Sequence, residues 1–200
     1  MTYLFMYRVR SDTGFAPCVD NGLLSLACCK GGQIRNGKPI NTGLRYRIGN
    51  KNECDYTKDD VYILGTYKNK FLYLARINDV KSMTEYYNGM SKGRTDDIYS
   101  FENGELKRNN HLREEKVHTD EPQNIRDKVG KYVLLSDDYI YLGKDAVSID
   151  IVDKYGPVFQ ETKLYSGDEA ERIISECRKA DDKKKHKPTK PFGTKCGGCK

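Results

Sequence analysis

Apolar residues in this chain gather in short runs parted by polar, glycine-rich stretches, and long helical stripes are rare. Residues 2–9 (TYLFMYRV) are aromatic and β-branched, which predicts a first strand. Residues 23–28 form an apolar run too short for an amphipathic helix. Gly22 and Gly31-Gly32 bound it, so it reads as a buried second strand that ends on a glycine-flexed loop. Residues 60–67 and 71–80 predict a hairpin across Lys68-Asn69-Lys70, followed by a short helix over 83–88. Residues 132–136 and 139–143 predict another hairpin, with Asp137-Asp138 as its two-residue turn. The stretches 36–59 and 89–124 are polar and lack a sustained period. They read as long loops, the first with a short strand at 44–48.

One helical period is clear. Ser166-Gly167-Asp168-Glu169 has the form of a capping box, and Ala170, Ile173, Ile174 and Cys177 follow on one face. This helix is expected to run to Ala180 and dock on the sheet. The element order is α+β: a compact, mostly antiparallel β-sheet or small barrel with a few flanking helices. It fills one domain over 1–177, and 178–200 is a basic tail, disordered by composition and ending in Cys-Gly-Gly-Cys.

Charge sharpens the division. The chain carries 35 Lys and Arg against 29 Asp and Glu, yet nine of the basic and two of the acidic residues lie in 178–200. The rest is close to neutral, so any affinity of the folded part for nucleic acid must come from a local patch. In the tail, Lys183, Lys184, Lys185 and Lys187 suit contact with a phosphate backbone through counterion release, or form a solvated solubility tail. Fifteen tyrosines without a tryptophan favour strands and half-wet surfaces. No run approaches the length of a membrane helix, and residues 1–10 lack the form of a secretory signal. A cytoplasmic protein with mostly reduced thiols is therefore expected, and its odd total of seven cysteines fits that.

The richest stretch for chemistry is 11–35 (SDTGFAPCVDNGLLSLACCKGGQIR). Lys30 offers a compact charge and Arg35 a planar fork, together suited to a phosphate. Asp12 either handles a proton in a buried site or caps the Thr13-Gly14 turn. Cys28 and Cys29 are strand neighbours expected to face opposite ways, leaving Cys29 beside Lys30 as a possible nucleophile or as a plain core thiol. Asp97 and Tyr99, on a second loop, would complete a site from across the sheet. Phe15 is a stacking ring or a buried anchor. Cys196-x-x-Cys199 is half a zinc site without a regular second half, so no metal is assigned. No phosphate loop, nucleophile elbow, kinase signature or dinucleotide fingerprint occurs, and no cofactor is assigned.

Asp12, Gly14-Phe15-Ala16-Pro17, Leu26-Ala27, Cys29-Lys30 and Ile34-Arg35 resemble the opening of the second nucleotide-modification-associated domain family. Further matches are Gly65-Thr66, residues 73–87 (YLARINDVKSMTEYY), Asp97-Ile98-Tyr99 and residues 136–146 (SDDYIYLGKDA), in order over 1–150. The resemblance implies a role in nucleic-acid modification or recognition, in bacteria or phages, with a nucleotide or nucleic acid as partner. It adds Thr66 and Tyr141 to Phe15 and Arg35 as substrate-binding candidates. The order of elements is also similar to the PUA-like small barrels, which implies a base pocket between barrel and flanking helices. Three functions follow: a base-modifying enzyme or its accessory factor, a non-catalytic reader of modified bases, or a phage–host interaction protein with 36–59 as its partner surface.

Overall fold

The structure is a computed structural model and describes residues 1–109, 121–157 and 161–182. Its larger sheet joins β1 (Thr2–Arg8), β6 (Asp60–Tyr67), β7 (Lys70–Arg76), β12 (Asp138–Tyr141) and β13 (Thr162–Ser166) in the order β12-β7-β6-β1-β13. The β1–β6 pair is parallel and the other pairs are antiparallel. A second sheet holds β2 (Cys18–Asp20), β3 (Leu23–Leu26), β8 (Asp79–Ser82) and β11 (Tyr132–Ser136) in the order β2-β3-β11-β8. Two small hairpins, β4 (Gln33–Arg35) with β5 (Lys38–Ile40) and β9 (Tyr99–Glu102) with β10 (Glu105–Arg108), stand apart from both. The α+β architecture is as expected, and the sheets stay open: no closed barrel forms among the described residues.

Strand alternation sorts the core into layers. On one face of the larger sheet, Leu4, Met6, Leu64, Leu74 and Ile140 pack beneath helices α4 (Asp150–Tyr155) and α5 (Gly167–Asp182). The predicted Ala170, Ile173, Ile174 and Cys177 are the buried stripe of α5. On the opposite face, Phe5, Tyr7, Ile63, Tyr73 and Ala75 meet Leu24, Leu26 and Leu134 of the second sheet. The far side of that second sheet is covered by Met83, Tyr86, Tyr87, Ile98 and Tyr99.

Several local readings change. Residues 44–48 form helix α1 (Leu44–Gly49) rather than a strand, because Leu44 and Ile48, four apart, are both buried in the inter-sheet core. Residues 83–88 are helical as predicted: α2 (Met83–Glu85) opens on a Ser82–Glu85 capping box and widens into a π turn over Tyr86–Met90. The loop readings of 36–59 and 89–124 miss α1, both small hairpins and helix α3 (Glu121–Val129).

The expected 132–143 hairpin is absent. β11 pairs with β3 and β8, while β12 pairs with β7, so the chain runs on from one sheet into the other. A two-residue hairpin turn uses positive φ at one or both central residues, and neither Asp137 nor Asp138 has one. The chain bends once at Asp137, whose N–H donates to Asn78 Oδ1 (3.0 Å), while Asn78 N–H donates to the Leu135 carbonyl (3.0 Å). β7–β8 and β11–β12 thus form one bent ribbon that ties the two sheets together.

Candidate functional site: a tyrosine row under Asp12 and Lys30

Register across the larger sheet aligns Tyr7 with Gly65, Gly65 with Tyr73, and Tyr73 with Tyr141. Three phenols and one glycine therefore share a single row on the face that meets the second sheet. The glycine is a spatial requirement: a Cβ at Gly65 would lie 2.1 Å from Tyr73 Cε1. Tyr7 and Tyr73 join hydroxyl to hydroxyl at 2.5 Å, with both rings buried. Burial pushes both phenols well above the ordinary tyrosine value, and the Asp12 charge adds to the rise.

After β1 the chain turns across this row. Asp12 is fully buried and accepts the Tyr141 hydroxyl proton on Oδ2. Gly14 N–H donates to Asp12 Oδ1 at 3.4 Å, so the turn-capping role expected of Asp12 is also present. Burial raises its carboxyl above the ordinary aspartate value, and the Tyr141 hydrogen bond offsets part of that rise. Lys30 closes the cluster from the other side. Its Nζ donates to the Arg8 carbonyl (3.3 Å) and sits 4.6 Å from the centre of the Tyr7 ring.

The loop that carries Lys30 is held rather than flexed. Cys29 and Lys30 both adopt left-handed backbone, φ 59° and 49°, which non-glycine residues hold only when their surroundings enforce it. Here a buried arginine does so. Arg45 Nε donates to the Cys29 carbonyl (2.8 Å), Nη1 to the Tyr132 carbonyl (2.6 Å) and Nη2 to the Asp127 carbonyl (2.5 Å). Asp127 takes the Cys29 N–H on Oδ1 (2.7 Å) and the Tyr99 hydroxyl on Oδ2 (2.9 Å). Gly31 lets the backbone close on this clamp, since a Cβ there would lie 2.6 Å from Arg45 Nη2 and 2.2 Å from the Arg126 carbonyl oxygen. The Gly31-Gly32 pair is therefore close packing around a guanidinium.

Asp12 and Tyr141 meet at one end of the row, Lys30 packs on Tyr7 at the other, and Asp127 ties the neighbouring Cys29 to Tyr99; the other predicted residues lie outside these groups. Strand geometry ends at Leu26, so Cys28 and Cys29 do not face opposite ways: their side chains are hydrogen-bonded to each other. That bond lowers the Cys28 thiol, yet burial and the nearby Asp127 charge leave it above the ordinary value. Phe15 is a buried anchor in the core with Cys28 and Tyr99. Thr66 spends its hydroxyl on the Tyr7 carbonyl (3.3 Å). Asp97 does not reach the cluster; Ser91 Oγ donates to its Oδ1 at 2.7 Å, and Asn109 Nδ2 to its carbonyl at 2.7 Å. Arg35 is exposed at the end of β4. Lys183, Lys184, Lys185, Lys187, Cys196 and Cys199 lie outside the described residues.

Sequence reasoning missed Tyr7, Arg45 and Asp127. Tyr7 and Tyr73 sit inside predicted strands, where a pairing register alone brings them together. It also missed Arg94 and Asp96, which are buried 3.3 Å apart. Arg94 Nε reaches the Tyr86 hydroxyl (2.9 Å), Nη2 reaches Ser25 Oγ (3.1 Å), and Ser25 Oγ donates to Asp96 Oδ2 (2.6 Å). Every one of these polar atoms has a partner, and the network fastens the 91–98 loop to the β2–β3 hairpin.

Among the described residues no helix is long and apolar enough to cross a membrane. Neither a curated protein nor a solved structure matches the chain. The model of one family, nucleotide modification associated domain 2, matches residues 1–194, and the chain belongs to that family.

Proposed function

We propose that the chain binds a nucleotide or a base of a nucleic acid at the Asp12–Lys30 cluster and takes part in its modification there. The observation that carries this reading is the strained Cys29-Lys30 loop. A buried arginine clamp holds two residues in an unfavourable backbone and sets an ammonium group over Tyr7, whose row ends at Tyr141, the phenol that donates to the buried Asp12 carboxyl. Such strain marks a place where position matters more than local stability. Asp12 is the proton-handling group, since a carboxyl raised by burial accepts a proton more readily at neutral pH than an ordinary one. Lys30 is the cation for a phosphate, held by the Arg8 carbonyl over the Tyr7 ring. Cys29, whose backbone the clamp fixes on both sides, is the nearest nucleophile.

The test uses the full chain. Binding to single- and double-stranded DNA, with and without modified bases, is measured at two salt concentrations for the wild type, Asp12→Asn, Lys30→Ala and a variant with the four tail lysines changed to alanine. Reaction products are sought in the same mixtures. Base-dependent, weakly salt-dependent affinity that survives the tail changes and falls in Lys30→Ala supports the site. Product formation lost in Asp12→Asn while binding survives assigns chemistry to Asp12. Base-dependent binding without any product makes the protein a reader instead. Affinity that vanishes with the tail lysines alone removes the site from consideration.

A further inference from the structure

Hairpin β4–β5 belongs to neither large sheet and packs against α3. At its root, a Cβ on Gly32 would lie 2.4 Å from Val129 Cγ1, so the ribbon is seated tightly on the end of that helix. A lone two-stranded hairpin is marginal in water, and α3 is what supports this one. Its turn, Asn36-Gly37, has the positive φ pair (51° and 71°) of a two-residue hairpin turn. Register sets Gln33 opposite Ile40 and Arg35 opposite Lys38. Alternation therefore puts exposed Gln33, Arg35 and Lys38 on one face, with half-buried Ile40 at its root, and half-buried Ile34 on the other.

The stretch of chain that carries this ribbon is one-sided in charge. From Asn21 to Asn52 the chain has no Asp or Glu, while Lys30, Arg35, Lys38, Arg45, Arg47 and Lys51 lie within it. Arg45 is consumed by the internal clamp, Arg47 by Glu53 and Lys51 by Asp55. Arg35 and Lys38 face each other across the register, an arrangement of like charges that weakens a hairpin unless an anion lies between them. Lys128 and Lys131, both exposed, stand at the end of α3, the helix on which the ribbon packs, and Asp127 there is turned inward to Cys29 and Tyr99.

We infer that the β4–β5 ribbon is the surface by which the chain engages double-stranded DNA, with its Gln33–Arg35–Lys38 face in the major groove. This deepens the proposed function, since it rests on the partner being DNA rather than a free nucleotide. The major groove of B-form DNA is about 12 Å wide and admits a two-stranded ribbon, whereas the deep groove of A-form RNA does not. Glutamine and arginine are the side chains whose paired polar atoms match adenine and guanine edges there. Lys128 and Lys131 then lie toward the flanking phosphates.

The experiment follows binding of the full chain to a short fluorescent DNA duplex across a salt series. The double variant Arg35→Ala/Lys38→Ala alters two exposed positions, and a thermal melt confirms its fold. It is expected to weaken binding about tenfold or more at low salt and to reduce the slope of log affinity against log salt by about 2, for two lost cationic contacts. Gln33→Ala is expected to keep the salt slope and to flatten differences between duplex sequences. Unchanged affinity and slope in the double variant would overturn the inference. So would equal competition by an RNA duplex, or complete loss of binding in the tail-lysine variant while the ribbon variant binds normally. The two readings fail separately: the salt slope in Arg35→Ala/Lys38→Ala reads the ribbon alone, whereas base dependence and product formation, read in Lys30→Ala, bear on the Asp12–Lys30 site.

Discussion

Tyr141 donates its hydroxyl proton to Asp12, although β12 lies three strands away from β1, the strand that precedes Asp12. Three strand spacings are about 14 Å. The four residues from Arg8 to Asp12 can span about that much when fully extended. The segment leads toward β12, with Val9 N–H bonded to the Thr66 carbonyl (2.7 Å) on the way, and the Tyr141 and Asp12 side chains cover the rest of the distance. Asp12 has little freedom to move, and its carboxyl is fixed over the tyrosine row.

The raised Asp12 carboxyl sets a sign for stability against pH. Burial leads its rise, so between the ordinary aspartate value, about 4, and its higher folded value the folded state holds a proton that the unfolded chain has lost. Stability from this group is present below that window and declines as pH rises through it. Asp12→Asn keeps an oxygen for Tyr141 and cannot ionise. Urea unfolding across the window should show a flatter pH dependence in the variant; parallel curves would mean that Asp12 does not titrate there.

Gly65→Ala tests the tyrosine row. A methyl group 2.1 Å from Tyr73 Cε1 must displace a buried ring between Tyr7 and Tyr141. Overpacking of this kind costs about 1–3 kcal/mol. A loss of that size in a denaturant titration is expected, and relief on combining it with Tyr73→Leu would tie the loss to this contact.

Arg45 is fully buried and donates to three backbone carbonyls. Arg45→Met fills similar volume but leaves those oxygens without their donor. The expected loss is about 3 kcal/mol or more, because hydrogen bonds to charged groups carry about 1.5–3 kcal/mol each. Faster amide exchange at Cys29 and Lys30 than in the wild type would show that the loop, rather than only the core, has loosened.

The edge-to-face tyrosines 86, 87 and 99 should respond unequally to loss of the hydroxyl. Tyr86 bonds to Asp96 and Tyr99 to Asp127, whereas the Tyr87 hydroxyl is buried without a hydrogen-bond partner. Tyr87→Phe is expected to be neutral or to stabilise by up to about 1 kcal/mol. Tyr86→Phe and Tyr99→Phe each leave a buried carboxylate short of a donor and should cost about 1–3 kcal/mol. Equal losses in all three melts would refute this ranking.

Local signals in the sequence carried much of the architecture. The strands at 2–9 and 60–67 and the stripe of α5 each follow from a period that its own residues impose. Three further turns were equally local: Asn21-Gly22, Asn36-Gly37 and Asn103-Gly104 all have the paired positive φ of two-residue hairpins, and the last two lie in stretches read as loops. α1 was misread because a six-residue helix with buried Leu44, Arg45 and Ile48 offers too little period to tell from a strand. Asp137-Asp138 looked like a turn because the residue types suit one, and only the partners β7 and β8 decide otherwise. At the candidate site, Asp12, Cys29 and Lys30 stood out as polar groups beside glycines. Tyr7, Arg45 and Asp127 did not, since nothing local distinguishes a tyrosine or an arginine that a distant strand will bury.

The position of β1 has a consequence for synthesis of the chain. β1 is flanked by β6 on one side and by β13 on the other, so one edge stays unpaired until residues 162–166 have been made. Contacts over such separations form late and slowly. While the ribosome is still translating, the nascent chain exposes an apolar strand edge, Leu4-Phe5-Met6, of the kind that chaperones shield and neighbouring copies can capture.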